Sequence, residues 1–488
     1  MKEKNLDLLS KLTPEEIVLD NFRLRSVCPD DSKYGEATDK LRDFLSAEAE
    51  WKECARIQYI LLETRAEYGQ ATPEQVEEVR QSLDKINPLN MSLLEKKVTK
   101  HDQLAVIEEI GRYVSPETKA LLHPGTTSYD ILDTTRAHLM QRAWNEVIRP
   151  EIRNAIESLC NLSENTIDVL QVGRTHLQDT SPVLFGGVLA SYASRLADRV
   201  YKNDLYFNDL RGKISGIVGT GASIDMVIGE NKSLEFEKKV LKKLELKPDY
   251  TATQVTQKER LSDVSHGIVS LMNVLGDFAN DMRMLYASSI QEVTDIESAT
   301  NLGGSSADSG KNNPINWENI CGKVPVVEGG MRISYAMISS DFQRDLRSSI
   351  QARYQPGMMM VETYESFVRA NKGLKTLSIN EDKLKANLKN IRDNPTEAMV
   401  AILRGEGWVH SEYGVGHEFV KIMAREAKKR KTNLLQICQE DKEFSELYKK
   451  LPILKQEILQ GELEKYTGSA KERARMNIVY ARVFSKEI

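Results

Sequence analysis

The sequence predicts an all-α protein whose core is a central bundle of long helices, and three observations carry that reading. The 14 prolines are unevenly spread, and none falls within 183–247 or 249–313, which leaves room for long unbroken helices. Leu261, Val264, Ile268, Leu271, Leu275, Phe278, Met282 and Leu285 follow one another at alternating spacings of 3 and 4. That is a heptad seam, which packs along other helices at a shallow angle. Strand signals are nearly absent, because β-branched residues cluster only in "SGIVGT" and "KVPVV".

Taken in order, the chain divides into three. Residues 1–127 read as an N-terminal helical domain of short pieces, broken at Pro29, Pro73, Pro88, Pro116 and Pro124. Residues 128–377 read as the long-helix bundle, with 129–165, 183–211 and the seam as its main rods. Residues 378–488 read as a C-terminal domain of short charged helices separated by Gly405, Gly407, Gly414 and Gly416. No internal repeat is visible. The length of the seam points to self-association, since one chain rarely covers so long a stripe alone; an intramolecular core is the other reading.

Composition narrows the function classes. At 488 residues and 40% hydrophobic content the chain can bury a large core. A net charge of −5 supplies no basic field for nucleic acid, and the 28% charged fraction is that of an ordinary soluble protein. The five cysteines, Cys28, Cys54, Cys160, Cys321 and Cys438, are odd in number and scattered. They suggest neither a disulfide framework nor a zinc site, and a reducing compartment is expected. The first residues, "MKEKNLDLLSKLTPEEI", have no apolar core of a secretory signal, and no run of 18 apolar residues exists. A cytoplasmic protein without a membrane span is expected.

Five polar islands interrupt the helical pattern. "KHDQ" (100–103) opens a helical run with His101. "GTTSYDILDT" (125–134) places Thr126, Thr127 and Ser128 before Asp130 at a helix start, which serves both as an N-cap and as an anion site. "GRTHLQDTSP" (173–182) gathers Arg174, His176 and hydroxyls into a turn between two long helices. Histidine titrates near neutral pH, as a general acid or base requires. "TQVTQKER" (253–260) precedes the seam. "QRDLRSSIQAR" (343–353) carries Arg344, Arg347 and Arg353 beside Ser348 and Ser349, and forked guanidinium donors suit a phosphate; an ordinary charged surface fits that stretch equally well.

The oddest stretch is "GGSSADSGKNNPINWENICGK" (303–323). Glycines and serines permit a mobile lid. Asn313 reads as an N-cap and Pro314 as the first helical residue. Backbone donors there, with Lys311, suit a carboxylate that gains charge, and their field would help a nearby serine act as a base. A disordered surface loop is the bland alternative.

These islands together resemble the fumarase/aspartase superfamily. Gly304 to Pro314 is similar to its signature, usually G-S-S-x-M-P-x-K-x-N-P, and "TSYDILDT", "GRTHLQ" and "VGTGA" (218–222) follow the family's order. Within the superfamily the chain looks most like the adenylosuccinate lyases. "DSKYG" (31–35) resembles their Arg-Tyr motif, "KHD" their second-histidine motif, and "TQVTQKER" the pattern T-Q-x-x-Q-R-x-R. "RDLRSSIQAR" resembles R-D-L-x-D-S-x-x-x-R, and "YTGSA" (466–470) a tail motif.

The resemblance implies a helical homotetramer that eliminates fumarate from an N-succinyl substrate, most simply adenylosuccinate and the succinyl-carboxamide ribotide of purine nucleotide biosynthesis. No metal and no organic cofactor are implied. His176 would be the general acid, oriented by Glu318, and Ser305 the base. Lys311 and Asn313 would hold the succinyl carboxylate with Thr127 and Ser128, and His101 would sit against the substrate. Gln254, Arg344, Ser349 and Arg353 would hold polar groups or phosphate, with Lys33 and Tyr34 reaching the phosphate too. Each site would draw on three subunits. The chain departs from the pattern at Asp308-Ser309-Gly310, at Lys33 in place of arginine, and at Ser348 in place of aspartate. Those departures keep two alternatives open: a related C–N lyase for another N-succinyl compound, and a catalytically weak paralogue with a structural or binding role.

Overall fold

Most prolines of the first third open helices instead of breaking them, whereas Pro124 lies in a turn before the bundle. The computed structural model describes residues 12–296 and 313–486. In it Pro14, Pro29, Pro73, Pro88 and Pro116 each occupy the first turn of a helix. A proline there loses no hydrogen bond, because the first N–H groups of a helix have no partner within it. Thr13 and Thr72 add capping boxes, and Asn87 and Ser115 cap with their side chains. Two longer helices complete this region, α1 (Ala47–Ala66) and α2 (Asp102–Gly111).

The bundle starts with α3 (Ser128–Ala143), which runs through one wide turn at Trp144–Ile148 into α4 (Arg149–Asn165). Pro150 follows that turn directly, and a π turn accommodates the carbonyls that a proline ring would strand. The hairpin β1 (Leu170–Thr175) and β2 (Gln178–Leu184) turns the chain into α5 (Phe185–Asn208), which runs back along α4. The indole of Trp144 stacks on Phe207 at 4.6 Å and donates to Asp204 at 2.6 Å, locking that return.

The heptad seam is α6 (Glu259–Leu285). Val264, Ile268, Leu271, Leu275, Phe278 and Met282 are fully buried, and Leu261 and Leu285 partly. They are covered by α5, by α7 (Ile315–Ala336) and by α9 (Gly357–Thr376), which follows the short α8 (Arg347–Gln351). Phe278 sits between Tyr192 at 5.2 Å and Trp317 at 5.4 Å. The chain therefore fills its own seam, and the stripe does not by itself call for a partner.

Short ladders pin the ends. β3 (Val293–Asp295) pairs antiparallel with β4 (Leu377–Ile379), which closes α9. Then come α10 (Glu381–Asp393), α11 (Thr396–Gly405) and α12 (Gly416–Arg430), of which α11 and α12 build a second core around Met399, Leu403, Phe419 and Phe444. Finally α13 (Ala470–Phe484) lies back across α4 and α5.

The structure corrects four local expectations. "GRTHLQDTSP" forms the tip of a hairpin, its turn and part of both strands, not a simple turn between helices. "KVPVV" is helical, inside α7 with Pro325, and "SGIVGT" joins no strand. Residue 314 is the N-cap of α7 and Ile315 its first residue, so Asn313 stands one place further out than the cap expected of it. Among the described residues no helix is long and apolar enough to cross a membrane, and no cluster of metal-ligating side chains occurs.

Candidate active site

The residues singled out in the sequence fall into two groups at opposite ends of the bundle. The first gathers at the start of α3. The chain enters through His123 and Gly125, both with positive φ (67° and 77°). A Cβ on Gly125 would stand 3.1 Å from the Ser223 carbonyl, so only glycine lets the 221–224 turn approach. Thr127 caps α3 in a capping box, its N–H donating to Asp130 Oδ2 at 2.7 Å. The other oxygen of buried Asp130 accepts from the N–H groups of Ser215 (2.9 Å) and Gly216 (3.2 Å) and from the Lys213 ammonium. The hydroxyl-bearing helix start is thus fixed to a neighbouring loop by one carboxylate.

His101 caps α2, its Nδ1 accepting the Leu104 N–H at 3.4 Å. With that nitrogen on the backbone, Nε2 meets Ser128 Oγ at 3.1 Å. His123 lies below, its Nδ1 at 3.0 Å from both Gln58 Nε2 and Thr126 Oγ1. Burial pushes its imidazole down to about 4.

Beside these lies an arginine held only by neutral groups. The Arg344 guanidinium rests 3.9 Å over the ring of Tyr129. It donates to Gln254 Oε1 at 2.7 Å and to Ser349 Oγ at 3.4 Å, and Tyr129 donates its hydroxyl to Ser349 at 2.5 Å. Among the described residues no carboxylate pairs with Arg344, and its buried Nε has no acceptor. Arg353 is exposed and its side chain likewise has no partner among the described residues. All but Gln254 border a cavity of about 560 Å³ walled by Leu132, Met140 and Val361. A half-buried cation short of one acceptor, next to an arginine without a partner among the described residues, can take an anion, although Glu50, Glu95 and Asp102 also border the cavity.

The second group lies where the hairpin and the start of α7 meet. His176 and Leu177 form a two-residue turn with φ of 54° and 60°, the geometry that matches strand twist. His176 is exposed and makes no side-chain hydrogen bond to described residues. The base of the hairpin is clamped by fully buried Glu292. That carboxylate accepts from Arg174 (2.6 and 3.1 Å), Gln171 (2.7 Å) and Asn387 of α10 (2.8 Å). Glu318 is exposed in the first turn of α7, with Asn313 just before it. One turn along, Tyr34 accepts from Asn319 at 3.3 Å, its ring lying 4.4 Å from the Lys323 ammonium. Lys33 and Tyr34 border their own cavity of about 550 Å³, away from Arg344. Ser305 and Lys311 lie outside the described residues.

Two rods measure the separation. α3 and α4 are continuous from Ser128 to Asn165, roughly 55 Å at 1.5 Å per residue. α6 spans roughly 40 Å on the same rule. At one end Lys258 donates to Asp133 of α3 at 2.8 Å; at the other, Glu292 holds the hairpin. α7 runs antiparallel to α6, since Ser334 near its end meets Ser265 at 2.7 Å. A single chain therefore brings together His101, Thr127, Ser128, Gln254, Arg344, Ser349 and Arg353. It leaves His176, Asn313 and Glu318 at the far end. Sequence reasoning missed Tyr129, Lys213 and Glu292, and saw Asp130 only as part of a helix start. Their signals were weak, because Tyr129, Lys213 and Glu292 each act through a partner distant in sequence.

The profile of a family described as lyase matches residues 29–329. An adenylosuccinate lyase of Archaeoglobus fulgidus is 27% identical over 92% of this chain and 97% of its own length. One from Aquifex aeolicus is 28% identical over 80% and 85%. Among solved structures, a fumarate lyase from a Mesorhizobium species superposes with a TM-score of 0.76 at 20% identity, covering 90% of this chain and 97% of its own. The 3-carboxy-cis,cis-muconate lactonizing enzyme of Pseudomonas putida gives 0.77 at 16% identity, over 92% and 98%. At those identities the structural likeness establishes the helical fold alone.

Proposed function

The chain belongs to the fumarase/aspartase superfamily of lyases and is a C–N lyase that releases fumarate; from that premise we propose that its substrate is adenylosuccinate, cleaved to AMP, and with it the succinyl-carboxamide ribotide. The observation that carries the choice of a phosphorylated substrate is Arg344, cationic, stacked, bonded to neutral groups and open to a cavity shared with Arg353. A phosphate supplies both the missing charge and the missing acceptor. The curated relatives' names agree with it.

In this reading Ser305 removes a proton from the succinyl carbon next to the carbon that bears nitrogen. The electron pair passes through an aci-carboxylate and forms the double bond of fumarate as the C–N bond breaks. His176 gives the departing nitrogen its proton, with Glu318 orienting the imidazole. Lys311, Asn313, Thr127 and Ser128 meet the carboxylate where its charge grows, which lowers the barrier most. His101 presents Nε2 beside Ser128. Gln254, Arg344, Ser349 and Arg353 hold the phosphate end. The acid and the phosphate grip lie at opposite ends of each chain, so one site takes them from different subunits of a homotetramer. Exposed Val326 and Ile333, seven residues apart on one face of α7 outside the filled seam, offer that assembly an apolar face.

Fumarate release from a panel of N-succinyl compounds, with and without a phosphate, tests the assignment. Turnover confined to adenylosuccinate and the ribotide is expected. Preference for an unphosphorylated compound would assign the related lyase instead, and no turnover of any would favour the weak paralogue.

A further inference from the structure

Tyr129 stands between the phosphate grip and the Ser128–His101 pair, and touches or adjoins both. Its hydroxyl donates to Ser349 at 2.5 Å and its ring carries the Arg344 guanidinium at 3.9 Å. Its neighbour in the chain, Ser128, meets His101 Nε2 at 3.1 Å. Residues 127–130 form a stiff unit, because the Thr127–Asp130 capping box is itself bound to Lys213, Ser215 and Gly216.

The other side is different in kind. Residues 339–346 form neither helix nor strand, and Phe342 and Leu346 are 95% and 67% exposed. Segments with so few buried contacts open easily. Beyond the ion pairs of Asp341 and Asp345 with Arg347 at the start of α8 and the Arg344–Ser349 bond, what ties it to the rest is short: Thr253 and Gln254 to the Gln343 carbonyl (2.6 and 3.4 Å), Gln254 to Arg344, and Arg344 over the Tyr129 ring. An anion that occupies Arg344 fixes the guanidinium. The guanidinium then presses on the tyrosine ring, and the ring belongs to the same helical turn as Ser128.

Resting on the substrate reading above, we propose that Tyr129 is a positioning residue that conveys phosphate binding at Arg344 and Ser349 to Ser128 and His101. The phosphate then raises turnover as well as affinity, since part of its binding energy is realised in the aligned site. Arg353 borders the same cavity without touching Tyr129, and its contribution is to affinity alone.

The test compares adenylosuccinate with its 5′-dephosphorylated nucleoside as substrates, and measures AMP binding by calorimetry, in the full-length enzyme. In the wild type the phosphate raises kcat and lowers KM. Tyr129→Phe keeps the ring under Arg344, so AMP still binds. Its kcat on adenylosuccinate falls by about three- to tenfold, the size of one neutral hydrogen bond, while kcat on the nucleoside is unchanged. Tyr129→Leu loses AMP binding as well. Arg353→Ala raises KM for adenylosuccinate and leaves the kcat advantage of the phosphate in place. The proposal is overturned if Tyr129→Phe lowers kcat equally on both substrates, shifts only KM, or changes nothing. A wild type that prefers the nucleoside and does not bind AMP overturns the substrate assignment as well, which separates the two failures.

Discussion

His123 is kept neutral by burial, and that makes it one residue through which acid weakens the fold. Desolvation lowers its pKa from 6.5 to about 4, with the charges of His101 and Arg65 adding to the shift and those of Asp130 and Asp102 opposing it. The unfolded chain binds this proton below pH 6.5, whereas the folded chain resists it until about 4. Stability is therefore complete above pH 6.5 and is lost as pH falls through that window, by up to about 3 kcal/mol. Urea midpoints at pH 7 and 4.5 should drop further in the wild type than in His123→Gln, whose amide can still meet Thr126; equal drops would contradict this. At this scale the sequence was legible where chemistry is local. Thr127 is the cap its hydroxyl predicted, and Arg344 and Ser349 meet in one grip. Lys213 and Asp130, 83 positions apart, could not be paired without the fold.

Glu292 fastens the hairpin, β3 and α10 together, so the expected response to its loss belongs to a whole element. Glu292→Ala leaves the Arg174 guanidinium and two amides without their acceptor in a fully buried place. A loss of about 3–5 kcal/mol is expected, as for other broken buried pairs, read as a lower urea midpoint and a fall in kcat through His176. A midpoint within about 0.5 kcal/mol of wild type would show that the hairpin stands without the clamp. The long helices were legible because period and proline spacing are carried along one segment: 129–165 is a rod, α5 fills 185–208 of the expected 183–211, and the seam is buried. The hairpin was not, because its strands are largely polar and half-exposed and show no clean alternation. "KVPVV" misled for the opposite reason. Burial against α6 and α9 outweighs the strand preference of valine and the presence of Pro325.

At the scale of the molecule, the rods that were easiest to read in the sequence keep the two groups of proposed site residues apart. Roughly 55 Å of continuous helix stands between Ser128 and the hairpin that carries His176. The heptad seam pointed towards association for a reason the structure removes, since α6 is covered within its own chain. On the proposed mechanism, association is called for instead by the separation of its residues between the two ends. The most direct measurement is complementation between two inactive variants. On the same mechanism, His101→Ala and His176→Ala, at the two ends, should each lose nearly all fumarate release, because the groups of one site act as a unit. Mixed under conditions of verified subunit exchange, or co-expressed, they should regain about a quarter of wild-type activity, the share of sites that draw both residues from unaltered chains in random tetramers. No recovery from co-expressed, co-assembled variants, or a His101→Ala enzyme that keeps most of its activity, would contradict the shared site.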